Sequence, residues 1–177
     1  ILGVFAFLGF YLAGSRMVEP VRVEVDTPDT HRLLPWPWGI LLILHCVTPV
    51  AVLTCLAWVG LGVVTIGGWL TAPAAVALAL VTPFGAAAIV TPAAISAARR
   101  PFPVENLVSG NESGPFMLIL FLVAGPALAA IAANIGFGML RGTLDQGVTG
   151  ATFSAIFFLA TATGLFVTWL GTRKAPE

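Results

Sequence analysis

From Gly39 to Ala98 the chain carries no Lys, Arg, Asp or Glu. One helical crossing of a bilayer takes roughly 20 apolar residues. This run has room for two crossings joined by "GLGVVTIGGWLTAP", whose four glycines break it near its middle. Backbone groups left unpaired in hydrocarbon cost several kcal/mol each, so only helices or closed barrels span it. Barrel strands alternate apolar and polar residues, and no such alternation is present. Three more charge-free runs follow the same logic: Ile1 to Ser15, Pro115 to Leu140 and Gln146 to Thr172. Charged residues make up only 9% of the chain and hydrophobic ones 58%, against about 25% charged in a soluble domain. The expected fold is therefore all-α: a single polytopic transmembrane helical bundle with five spans, at about 1–14, 39–59, 72–97, 115–140 and 148–171. The first span is short and the chain opens on Ile, so further residues are expected upstream.

The eight acids and eight bases cancel, which gives no electrostatic ground for a nucleic-acid partner. Their placement is more informative. If the spans alternate in direction, segments 15–38, 99–114 and 172–177 share one side and hold Arg16, Arg22, Arg32, Arg99, Arg100, Arg173 and Lys174. The opposite side has Arg141 alone. The positive-inside rule then puts the loops 15–38 and 99–114 and the carboxyl terminus in the cytoplasm of a cell bounded by this plasma membrane. Trp36, Trp38 and Trp169 fall at inner span ends, Trp58 and Trp69 at outer ends, the heights of an aromatic belt.

The 15–38 loop is longer than the two to eight residues usual between packed helices. Thr27 is a suitable N-cap, Pro28 suits the first helical position, and Asp29 lies where the helix dipole favours an anion. His31 and Arg32 fall toward the end that favours cations, and Pro35 stops the helix. A short surface helix is expected over Thr27, Pro28, Asp29, Thr30, His31, Arg32, Leu33 and Leu34, too short to be stable unless something holds it. Before it, "EPVRVEVD" alternates valine with charge, as an extended segment or a second surface element does.

The descent into this loop, followed by "RLLPWPWGILLILHCVTPV" leading into the next span, resembles the membrane subunits of type-2 ABC exporters. The resemblance implies a short coupling helix at Thr27 to Leu34 that touches a separate cytoplasmic nucleotide-binding ATPase subunit. It also implies a second cytoplasmic contact in "RRPFPVENLVSGNESG", around Arg99, Arg100 and Glu105, and a second permease copy or paralogue. In span order the five crossings would be the second to sixth of a six-helix core. That family often carries a re-entrant hairpin before its last span. Arg141 to Gln146 leaves almost no room for one, unless residues near "ANIGFGML" bend back.

Within the spans no Lys, Arg, Asp or Glu marks a proton or ion pathway. His45, about two turns into its helix, is expected to make an interhelical hydrogen bond, with metal or haem ligation the less favoured reading because no second membrane histidine is present. Asn134 is expected to pair across helices, with substrate contact the alternative. Cys46 and Cys55 lie nine apart on one helix, about 13 Å in height, too far for a disulfide. Pro49, Pro83, Pro92 and Pro126 fall inside spans, and the alanine- and glycine-rich third span is expected at the centre of the bundle. "NES" at 111–113 matches a glycosylation acceptor but falls on the cytoplasmic side. No phosphate loop, catalytic triad or metal-ligand spacing appears, so no metal or cofactor is expected on the chain, and it is not expected to be an enzyme. The expected function is the membrane subunit of an ATP-driven exporter. The alternative is a non-catalytic structural or assembly subunit of a larger membrane complex, and a third reading is an intramembrane enzyme with its reactive groups in upstream residues.

Overall fold

The computed structural model describes residues 2–26, 37–98, 114–143 and 148–172. Their helices are α1 (Leu2–Met17), α2 (Glu19–Asp26), α3 (Trp38–Ile66), α4 (Ala72–Ala97), α5 (Gly114–Thr143) and α6 (Val148–Gly171). Among the described residues there is no strand, and the fold is the expected all-α bundle. Among the described residues four helices are long and apolar enough to cross a membrane: α3, α4, the Leu122–Arg141 part of α5, and α6. The molecule is a multi-pass helical membrane protein. In the place of the first expected span, α1 has 16 residues. Their rise of about 24 Å is less than the roughly 30 Å of bilayer hydrocarbon.

The bounds of α4 and α6 coincide with the expected spans, whereas α3 runs past residue 59 to Ile66. Gly60 and Gly62 do not break it, because a helix in lipid keeps its backbone bonds within the segment even through residues of low helical propensity. The stop comes at Gly67, whose N–H bonds Val63 O at 2.9 Å, and at Gly68, whose φ of +74° a side chain would resist. The new helix opens at Ala72 with Pro73 in its first turn. At the far end, α5 is helical through "ANIGFGML" to Thr143, so these residues do not bend back into a hairpin.

The expected central position of α4 is what the packing has: α4 touches every other described helix. Ala88 through Ile95 are all buried, as in a helix enclosed on all sides. Its carboxyl-terminal half shares a core with Tyr11 of α1, Val21 of α2, Leu42 and Leu53 of α3 and Leu170 of α6. Its amino-terminal half, through Ala77, Val81 and Ala88, meets Ala132 of α5 and Ala155 and Leu159 of α6. Lipid tails are as apolar as these side chains, so close packing rather than water exclusion holds such a bundle together.

Glycines mark the closest approaches. A Cβ on Gly136 would lie 2.6 Å from Leu159 Cγ, on Gly85 2.9 Å from Phe137 Cζ, and on Gly39 2.7 Å from the Cα of Gly171. The last of these brings the start of α3 against the end of α6 backbone to backbone. At Gly125, Tyr11 Oη and Ser96 Oγ converge, joining α1, α4 and α5.

Of the two readings of "EPVRVEVD", an extended segment or a second surface element, the structure has the second: the stretch is α2, and its valines do not share a face, since Val21 is fully buried and Val25 packs on the same core while Val23 is 56% exposed. Val18, Val21 and Val25 recur at a helical spacing, and that stripe packs on α1, α3 and α4. Glu19, Arg22 and Asp26 are exposed on the other side. Pro20 falls in the first turn, where its missing N–H costs no helical bond, and Glu19 complements the dipole there.

Candidate functional site

Two features have the form of a site: the surface segment that contains α2, and a groove on the side of the bundle. Thr27, Pro28, Asp29, Thr30, His31, Arg32, Leu33 and Leu34 lie outside the described residues, as do Arg99, Arg100 and Glu105. What is described of the first loop is α2, the element that carries it onto the bundle.

The groove runs between α3 and α6 with α4 as its floor, a cavity of about 490 Å³. Val47, Ala51 and Cys55 line one wall and are exposed, so it opens sideways from the bundle. Pro83, Ala87 and Thr91 form the floor, and Thr163 and Val167 the other wall. One end is closed by the Gly39–Gly171 approach. At the other, Trp58 lines the cavity and its indole Nε1 donates to the carbonyl of Ala79 at 3.0 Å. Ala79 is the residue whose carbonyl Pro83, four residues on, cannot bond. A neighbouring helix thus satisfies the group that the proline frees, as membrane helices require.

The hydroxyls sort into two kinds. Thr65, Thr82, Thr91, Thr152, Thr161 and Thr168 each donate to the carbonyl four residues earlier, at 2.6 to 2.8 Å. Thr54 and Thr163 do not: both Oγ1 atoms are buried without a partner, and both residues line the groove. Thr54 is only 6% exposed. An unpaired hydroxyl in such surroundings costs about 1–3 kcal/mol.

His45 is half-buried on α3, and among the described residues its ring makes no hydrogen bond to another helix. Asn134, expected to pair across helices, lies on the side of α5 turned away from the other described helices. Ala129, Ala132, Ala133, Gly136 and Leu140 turn the inward face of α5, while Asn134 is exposed on the outside. Trp38, expected in the aromatic belt, lies at the expected end of α3 but is buried in the core. Trp58 and Trp69 are exposed near the opposite end, as a belt requires. Cys46 and Cys55 are free, and the Cys46 thiol donates to Leu42 O at 3.3 Å. No three His, Cys, Asp or Glu side chains come together among the described residues.

Sequence reasoning missed the groove. Its signal was "VTP", which occurs at 47–49, 81–83 and 90–92 and contributes a lining residue each time. Fold and groove together define a multi-pass helical membrane protein with a lateral apolar cleft. No protein-family model, curated protein or solved structure matches the chain.

Proposed function

We propose that the chain is the membrane-spanning subunit of an ATP-driven exporter, with a separate nucleotide-binding protein acting on the segment 15–38 from the cytoplasm. The observation that carries this reading is the seating of α2. Val18, Val21 and Val25 tie it to α1, α3 and the central α4, so a force on the loop reaches α4 directly. Two prolines, Pro83 and Pro92, interrupt the backbone ladder of α4, and such breaks let a helix change its bend. The share of bases in segments 15–38, 99–114 and 172–177 supports a cytoplasmic position for this loop, where an ATPase would meet it. The resemblance of "RLLPWPWGILLILHCVTPV" to type-2 ABC exporter subunits supports the same partner. ATP binding there would press on the loop, and the helices beside α4 would shift to move an apolar or amphipathic substrate. The alternative, a structural or assembly subunit, needs no ATPase.

Purification of the intact complex from its native membrane tests the reading. An ATPase subunit is expected to copurify. Its activity is expected to fall when Asp29, His31 and Arg32 are replaced by alanine, and also in Val21→Asp, which detaches α2 from the bundle. An intact complex without any nucleotide-hydrolysing partner excludes the exporter and leaves the assembly subunit.

A further inference from the structure

We infer that α5 is the face through which two copies of this chain pair in the membrane, with Asn134 of each copy bonded to Asn134 of the other. Asn134 is the one carboxamide within the spans. It is exposed on α5 and makes no hydrogen bond among the described residues. Hydrocarbon offers its amide no partner. Arg141, which ends the charge-free run, lies seven residues on, about 10 Å along the helix. An asparagine side chain is too short to cover that distance to headgroups or water, as a lysine or arginine does. The partner it calls for is therefore another helix.

The residues around it form a surface for one. Ala127, Ile131, Asn134 and Gly138 recur at intervals of four, three and four, the spacing of a single seam along a helix. The seam lies opposite Ala129, Ala132 and Gly136, which are buried against the bundle. A Cβ on Gly138 would meet nothing within 4 Å, whereas one on Gly136 would run into Leu159. Gly138 thus serves no contact inside the chain. Small residues on either side of the amide let a second backbone come within its reach.

The chemistry of the amide favours a second copy as the occupant. A carboxamide carries both donors and an acceptor, and copies inserted in the same direction hold Asn134 at the same depth. About a two-fold axis along the membrane normal, each Nδ2 donates to the Oδ1 of the other copy, the self-complementary contact of a closed dimer. A single asparagine on an apolar seam also fixes the register and number of helices. Arg141, next on the seam, stands at the end of the run, where its long side chain can turn to water and away from its copy. The pair needs no ATPase, so it holds for an assembly subunit as well as for an exporter.

Disulfide trapping of the full chain in native membrane vesicles tests the pair, in a background of Cys46→Ala and Cys55→Ala. On mild oxidation Ile131→Cys is expected to give a species of two copies, recovered with both tags when two tagged forms are coexpressed. Val59→Cys, on the exposed side of α3, is expected to give severalfold less. Adding Asn134→Leu is expected to lower the Ile131→Cys yield by about fivefold or more, while Asn134→Gln, which keeps the amide, retains most of it. Because position 134 faces away from the bundle, Asn134→Leu is expected to leave thermal unfolding of the single chain in detergent unchanged. The pair is overturned if positions 131 and 59 trap alike, or if Asn134→Leu leaves the yield as it was. Capture of a different protein, or of another part of the same chain, at position 131 overturns it too.

Discussion

The Trp58 indole supplies the hydrogen that Pro83 withholds from Ala79, and this makes the two residues a pair whose energies do not add. Trp58→Phe is expected to destabilise the bundle by about 1 kcal/mol, the usual size of an interhelical bond in a membrane. In a Pro83→Ala background the backbone N–H of residue 83 can take over, and the same change is expected to cost less. A double-mutant cycle read by unfolding in detergent checks this, and additive effects would show that the worth of the bond does not depend on the proline. Thr54→Val has the opposite sign. It removes a buried hydroxyl that has no partner, so it is expected to stabilise the protein by about 1 kcal/mol or more. A loss of stability in lipid-free detergent would mean that the hydroxyl is satisfied after all. Neither site could be found from residue type alone. Threonine in a membrane helix ordinarily bonds its own backbone, and only the structure shows that Thr54 and Thr163 do not.

Helix against helix, the contacts depend on which glycines face a neighbour. Gly136 and Gly138 lie two apart on α5, yet a methyl on Gly136 collides with Leu159 while one on Gly138 meets nothing within 4 Å. Gly136→Ala is expected to cost 1–3 kcal/mol as an overpacked contact. Gly138→Ala is expected to be neutral or to stabilise by up to about 1 kcal/mol through helix propensity. Equal effects in a thermal unfolding series would refute the packing described for α5 and α6. At the same scale, α2 shows what the pattern left open. Valine at every second residue fits an extended segment or a surface element, and Val18, by completing a helical stripe with Val21 and Val25 and leaving Val23 outside, goes with the helix. On α5, small residues at helical spacing, not the lone amide of Asn134, decide which face turns inward.

For the whole molecule, the central helix is the common mechanical element: α4 joins the α1–α3 core to the α5–α6 core and also floors the groove. On the exporter reading, deletion of Glu19 to Asp26 is therefore expected to leave a membrane-inserted chain that no longer supports stimulated ATP hydrolysis by the proposed nucleotide-binding partner. Insertion is checked by protease protection and hydrolysis by phosphate release. Full stimulation without α2 would remove the basis for coupling through this helix. Site-directed cysteine labelling from either side checks the orientation that the bases imply, with position 22 expected to react only from the cytoplasmic face.

The residues alone determined the solvent and the class of fold. Long runs without charge can satisfy their backbone in lipid only as helices, and two of the helices, Ala72–Ala97 and Val148–Gly171, begin and end where composition says they should. They also foretold that the alanine-rich helix is central, since small side chains allow approach from every side. What the tertiary structure decided is which faces meet. In hydrocarbon every face is apolar, so no hydrophobic periodicity separates a buried face from a lipid-facing one, and contacts are chosen by shape. The groove, the orphaned hydroxyls beside it and the inward turn of Trp38 all follow from that choice, which is made between helices distant in the chain.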